Sequence, residues 1–423
     1  MKKMIAGFFA AMLMGSFVMA DVGAPAPASK DLKKIVEEGP YVETSQKGIT
    51  LSGYVDAGYI YNFAGRGSGN TAGGNIFMQR PATEEDNRGD FDLNAMKLAL
   101  EKPLSDANEL QAGFRVDLMM GEDVGSLGGT NDAAGMQSDD IFLEQAYVQF
   151  RLPYGNGIDF KVGKFVTILG YEVVERPVNM NITYGNIFSC LLPVWHTGAL
   201  ASYQVNDIVD LKLGIANGQN VDNGVGNDSE DNAAILAAIN ITAPSENLNW
   251  YNAVMYSMNG EGAGVWDDAP YVVYDTYINW TPKFAKDKLL LGVNFNVGNA
   301  HVTTNTAGIG LDEPNTTTWW GAALYAKYKF TDMFSLASRI DYIHNDDSAM
   351  FGNDPAAGVD DNEDIWSYTL TGSFDVIENM MLRTEYRLDW GKDLTLNGTA
   401  AAADGTYSDG PVHTGAVQVV YSF

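Results

Sequence analysis

The chain carries little of what covalent catalysis needs. Its four histidines, His196, His301, His344 and His413, stand in no Ser-His-Asp or metal-ligand spacing. His196 and His413 each open an HTG triplet at the start of an expected strand, where a polar rim residue is commonplace. The one cysteine, Cys190, has no disulfide partner, and burial explains it better than reactivity does. What the chain does carry is charge at regular positions. Arg115, Lys161, Lys212, Lys327, Lys329, Arg339, Arg383 and Arg387 all fall on the polar phase of alternating segments. A cation facing hydrocarbon costs about 2–4 kcal/mol at the bilayer midplane, so the alternation turns these side chains inward. Groups arranged in this way attract, order and sort small solutes; they do not transform them.

The elements that must position them are strands. In 209–215, Val209, Leu211, Leu213 and Ile215 oppose Asp210 and Lys212. In 380–390, Met380, Leu382, Tyr386, Leu388 and Trp390 oppose Arg383, Glu385, Arg387 and Asp389. One face in lipid and one in water is the expected pattern of a membrane strand. In 91–101 the phase shifts near Ala95 and Met96, which predicts a bulge. Sixteen such segments begin near residues 49, 91, 109, 141, 158, 197, 209, 233, 248, 271, 288, 319, 334, 365, 380 and 412. Links after even-numbered segments are short, and those after odd-numbered ones are long. The fold expected is all-β: a transmembrane antiparallel β-barrel of sixteen strands with long extracellular loops and short periplasmic turns.

Three further features agree with export to an outer membrane. Lys2 and Lys3 precede an apolar run, Met4 to Val18, and Val18-Met19-Ala20 carries small residues where a signal peptidase reads. Residues 1–20 are therefore expected to be a signal peptide, 21–48 a periplasmic N-terminal segment, and 49–423 the barrel. Trp250, Trp280, Trp320, Trp366 and Trp390 lie near expected strand ends, where amphipathic rings prefer the interface. The C-terminal VQVVYSF puts Tyr421 and Phe423 on one face, resembling the signal that barrel-assembly machinery recognises.

A formal net charge of −28 argues against nucleic acid as a partner, because phosphates would be repelled before contact. Most of the acid sits in the long loops, among them Glu84, Glu85, Asp86 and Asp90; Glu122, Asp123, Asp132, Asp139 and Asp140; Asp228, Glu230 and Asp231; Asp267 and Asp268; and Asp346, Asp347, Asp354, Asp360, Asp361, Glu363 and Asp364. None of these runs has calcium-loop spacing, so a solvated rim is the simpler reading and divalent-cation binding the sharper one.

The third long loop, 166–196, differs from the rest. It is rather apolar, with only Glu172, Glu175 and Arg176 charged, and folding inward would bury Ile168, Leu169, Tyr171, Phe188, Leu191, Leu192 and Trp195. Several blocks resemble the β-barrel porin-2, OmpL-like family: SGYVDAGY at 52–59, LEQAYV at 143–148, VGKFVTILGYEVVE from 162, HTGALASYQVND at 196–207 and the terminal YSF. The resemblance covers most of 49–423 and implies a pore-forming outer-membrane protein. The architecture also resembles general diffusion porins, which set acidic residues of an inward third loop against an arginine ladder. By that likeness Glu172 and Glu175 are expected to face Arg339, Arg383 and Arg387 across a pore constriction, with Arg115, Lys161, Lys212, Lys327 and Lys329 as other lumen bases.

The expected function is passive diffusion of small hydrophilic solutes or ions, without a cofactor and without catalysis. An anion- or phosphate-selective channel is the alternative the basic wall suggests, and a plugged structural or adhesive barrel is another. Expected partners are outer-membrane lipid and lipopolysaccharide, the assembly machinery, and two further copies of the chain in a homotrimer by analogy with sixteen-stranded porins.

Overall fold

The computed structural model describes residues 48–63, 89–127, 141–218, 233–258, 270–302, 315–345, 363–392 and 411–423. The expected signal peptide, nearly all of the 21–48 segment and most of the acidic loop residues lie outside them. Sixteen strands form one closed antiparallel barrel. They are β1 (Thr50–Asn62), β2 (Gly89–Lys102), β3 (Gln111–Met120), β4 (Phe142–Leu152), β5 (Ile158–Val166), β6 (Trp195–Gln204), β7 (Val209–Ala216) and β8 (Ala234–Thr242). The second half comprises β9 (Leu248–Ser257), β10 (Tyr271–Trp280), β11 (Leu289–Val302), β12 (Asn315–Lys329), β13 (Phe334–Asn345), β14 (Glu363–Ile377), β15 (Met380–Lys392) and β16 (Val412–Ser422). Each strand pairs with its sequence neighbours, and β1 closes the ring on β16, with Tyr54 opposite Ser422 and Asn62 opposite Thr414.

Closure is what makes the sheet viable in lipid, since an open edge would leave backbone groups unpaired in hydrocarbon. It runs to the last residue: Gly53 and Phe423 exchange two backbone hydrogen bonds of 2.9 Å each. The expected assembly signal therefore sits on the closing seam, with Tyr421 and Phe423 about half exposed.

The two faces sort as the alternation demands. On β7, Leu211 and Leu213 are 41% and 63% exposed while Lys212 between them is 8% exposed. Outside, aromatic rings run from strand to strand as a girdle. At the long-loop end, Trp320 meets Tyr342, Tyr342 meets Trp366, and Trp366 stacks on Trp390 with centroids 6.1 Å apart. At the short-turn end Phe330, Phe334 and Phe374 form a second chain of contacts.

Two bulges alter the rhythm where it matters inside. On β2 the register to β1 slips at Asn94, one residue before the expected position, so that Asn94 and Ala95 both turn inward. On β4 the slip is at Glu144, and Glu144 and Gln145 are both buried. An extra residue on one strand sends two neighbouring side chains to the same face. Both bulges thereby deliver polar groups to the interior. After β3 a short helix, α1 (Glu122–Leu127), lies against β2 and β3.

Candidate functional site

Residues 167–194, between β5 and β6, are mostly buried, none of them exposed, and pack against the inner wall. Their sequence forbids a long regular element. Gly170 takes φ 102°, a left-handed conformation that suits glycine, and Pro177 and Pro193 interrupt any helix. Only a 3-10 turn at Arg176–Val178 and one wide helical turn at Ile187–Leu191 form. A buried segment with so little ladder of its own must satisfy its backbone elsewhere.

Side chains of the wall do this. The Glu385 carboxylate on β15 accepts the backbone N–H of Ile182 at 2.5 Å and of Thr183 at 3.0 Å, and the Thr183 hydroxyl at 2.6 Å. Asp341 on β13 accepts the N–H of Asn186 at 3.1 Å, and Asp275 on β10 accepts that of Gly170 at 3.1 Å. Guanidinium groups take the carbonyls. Arg383 donates to Arg176 O (3.0 Å), Asn179 O (2.9 Å) and Asn181 O (3.3 Å). Arg339 donates to Thr183 O (2.8 Å) and Tyr184 O (3.3 Å). Arg387 donates to Tyr184 O (2.5 Å) and Asn186 Oδ1 (2.7 Å).

Apolar packing fixes the rest. Ile168, Leu169, Ile187, Leu191 and Leu192 join a cluster with Leu236, Met255, Val273, Leu290 and Ile343 of the barrel. Val174, Tyr184 and Phe188 pack with Tyr54 and Met119. Tyr171 stacks on Tyr325 with centroids 4.1 Å apart and donates to Asn279 at 2.8 Å. Gly292 makes room for it, since a Cβ there would lie 2.4 Å from the Tyr171 hydroxyl.

The expected acid–base pairing across the interior is present in part. Glu172 meets Arg339 at 2.6 Å. Glu175 does not face the arginines; it pairs with Lys97 on β2, which also holds Asp117 and Glu144, each at 3.0 Å. The segment turns toward the β2–β4 wall at this point, and Arg176 beside it pairs with Asp123 of α1. The arginines do not form a row of open charge either. Arg339, Arg383 and Arg387 are 0%, 1% and 2% exposed, because each guanidinium is spent on the segment or on a neighbouring carboxylate.

The other expected lumen bases are spread around the barrel. Arg115 is buried against Asp117 (2.9 Å) and Glu101 (3.4 Å). Lys161 lies 4.8 Å from the Tyr147 ring centroid, and Lys212 5.8 Å from that of Tyr251. Lys329 pairs at 3.3 Å with exposed Asp332 in the β12–β13 turn, away from the segment. Lys327, inward and half-buried, has no hydrogen-bonded acid among the described residues. His196 departs from the rim position expected of it. It is fully buried, between the Thr167 hydroxyl at 3.0 Å and Gly218 O at 3.2 Å. Cys190 packs against the larger apolar cluster.

The sequence pattern does not mark Lys97, Glu144 or Asp275, and it places Asp123 among the acids of a long loop rather than inside the barrel. Lys97 lies just past the β2 bulge, where the phase that would mark it as inward is broken, and Asp123 sits in a run that reads as solvated rim. Glu144 owes its inward turn to a bulge that no sequence signal announced.

Solved structures share this architecture. The outer membrane channel DcaP of Acinetobacter baumannii superposes with a TM-score of 0.56 at 11% identity, over 90% of this chain and 100% of that one. The trimer form of OmpT from Vibrio cholerae gives 0.55 at 13% identity, over 89% and 99%. An anion-selective porin from Comamonas acidovorans gives 0.55 at 12% identity, over 89% and 99%. At such identities the likeness shows the fold. Among curated proteins none matches the chain. The sequence profile of the family named Putative beta-barrel porin-2, OmpL-like matches residues 48–423, and the chain accordingly belongs to that family of β-barrel porins of the bacterial outer membrane.

Proposed function

We propose that the protein is a passive diffusion channel for small hydrophilic solutes or ions, in which residues 167–194 narrow the lumen. The observation that carries this reading is the double anchoring of the segment. Glu172 is bonded to Arg339, and the carbonyls of residues 176, 179, 183 and 184 are bonded to Arg339, Arg383 and Arg387. A loop fixed by buried charge-assisted bonds is a rigid constriction, and its fixed position sets the width of the path left for polar solutes. Residues 1–20 direct export and are removed, 21–48 remain periplasmic, and assembly uses the Tyr421–Phe423 end. Like the trimer form of OmpT, the channel assembles as a homotrimer.

Burial of all three guanidinium groups supports a second reading, a barrel plugged by the segment that serves a structural or adhesive role. Liposome swelling with sugars of graded size, together with planar-bilayer conductance, separates the two. A diffusion channel gives size-dependent swelling and ohmic steps, with reversal potentials in a salt gradient reporting any anion preference. Impermeable liposomes and no conductance would overturn the channel reading in favour of the plug.

A further inference from the structure

The lipid-facing surface is apolar at mid-height nearly everywhere, with residues such as Val116, Val148 and Leu324 at strand centres. Hydroxyls interrupt it at Thr276, Ser338 and Thr384, and at comparable depth one amide does. Asn252, fifth of ten residues in β9, points outward and is half-buried. Its amide oxygen accepts the Tyr274 hydroxyl at 2.6 Å and the Thr276 hydroxyl at 3.0 Å. Its amide nitrogen has no partner among the described residues. Turning the amide over would leave the oxygen unpartnered instead, so either orientation presents an unsatisfied polar end to hydrocarbon. In lipid such a group costs several kcal/mol.

The same face is concave. A groove of about 490 Å³ is lined by Ala201, Leu211, Ala237, Ile239, Asn252 and Val254 on β6–β9, with Tyr274 of β10 at its edge. Register explains the hollow: Ala201 lies opposite Leu213, Leu213 opposite Ala237, and Ala237 opposite Val254, so small side chains interrupt a row of large ones. The wall is also low here. Strands β6–β10 have 8 to 10 residues, against 14 and 15 in β11 and β12.

We infer that the outer face of β6–β10 is an interface with a second copy of this chain, a deepening that rests on the self-assembly proposed above. Lipid cannot meet the need of Asn252. Its polar atoms stay at the membrane interface, and a mid-strand amide lies about 12 Å from either edge of an apolar band about 25 Å tall. A protein surface brings acceptors and donors to that depth. The size is adequate: five strands about 4.8 Å apart and about 30 Å long offer roughly 700 Å² of face, close to the ~800 Å² that each partner contributes to a stable pair.

The test uses the full chain in outer membranes, with a photo-crosslinking amino acid at Val254 and, as a control, at Leu324. Adducts from Val254 at multiples of the chain mass, holding only peptides of this chain, are expected, with none from Leu324. Ala201→Trp with Ala237→Trp, which fills the groove, and Asn252→Leu, which removes the stranded amide, are each expected to abolish the oligomer in native mass measurement. Both should leave the heat-dependent gel shift of the folded barrel unchanged. A filled-groove variant that loses the gel shift is unfolded, and the Asn252→Leu and cross-linking results then decide. An oligomer that survives both changes, with adducts from Leu324 instead, overturns this face while assembly stands. A monomer at every concentration, or adducts to lipid alone from Val254, overturns the interface; the monomer also removes the self-assembly reading.

Discussion

Glu385 and Thr183 are joined twice, the carboxylate accepting both the backbone N–H at 3.0 Å and the hydroxyl at 2.6 Å of the threonine. A strand side chain here replaces the ladder that an irregular segment lacks. Glu385→Ala strands the N–H groups of Ile182 and Thr183 and the hydroxyls of Thr183 and Thr371. Each unsatisfied buried donor costs about 1–3 kcal/mol. The segment is therefore expected to loosen while the barrel stays closed. Single-channel recordings should show larger and noisier conductance, and a protease able to enter the lumen should cut within 176–186. Unchanged recordings together with full protease resistance would mean that this bond does not hold the segment.

Much of this arrangement is legible in sequence, and the exceptions have physical causes. The sixteen strands are read easily because lipid on one side and polar groups on the other impose a period of two on every strand. The same period assigns Arg339, Arg383 and Arg387 to the interior, and Glu172 is an acid on a loop too apolar to stay in solvent. The partner of Glu175 is not legible. Where an irregular chain turns depends on packing around Tyr184 and Phe188 and on the bulges at Asn94 and Glu144, and no periodicity encodes it. His196 is misread for a related reason. Its triplet opens a strand, but residues 167 and 218 close over that strand end and bury the ring.

Arg339 contacts Glu172, Asp341, the Thr369 hydroxyl and two carbonyls. Arg339→Met leaves two buried carboxylates without their cation, although Asp341 keeps Ser367 and Asn186, and Glu172 keeps Gly185. Removing one partner of a buried pair costs about 3–5 kcal/mol. A lower unfolding midpoint in detergent is expected, and Glu172→Gln in the same chain should restore part of it. If the double variant is no more stable than Arg339→Met alone, the Glu172 pairing is not the source of the loss.

Orientation of the strands can be tested on β12, where Leu324 is 56% exposed and Tyr325 beside it is 4% exposed. Leu324→Arg puts a guanidinium into hydrocarbon at a cost of about 2–4 kcal/mol. Folding into vesicles, followed by denaturant titration, should show a loss of that size. The same substitution at the turn residue Met333, outside the strands and 59% exposed, should cost almost nothing. Equal losses at both positions would contradict a lipid-facing Leu324.

Lys327 offers a test of selectivity that does not disturb the anchoring. It faces inward from β12, and no acid among the described residues is hydrogen-bonded to its ammonium. Its register partners Ala337 and Leu290 carry no charge; of the charged groups that act on it, Asp375 attracts the ammonium and Arg383 and Lys329 repel it. A charge on the path of a permeating ion raises the local concentration of counter-ions, and reversing its sign reverses that bias. Lys327→Glu is therefore expected to move the zero-current potential in a salt gradient toward cation preference, more strongly at low ionic strength, where screening is weaker. Lys327→Met should give an intermediate value. Lys329→Glu is the comparison: its ammonium is paired with Asp332 in a solvent-exposed turn, so its effect should be smaller. A zero-current potential that ignores the sign at residue 327 would place this side chain off the conduction path.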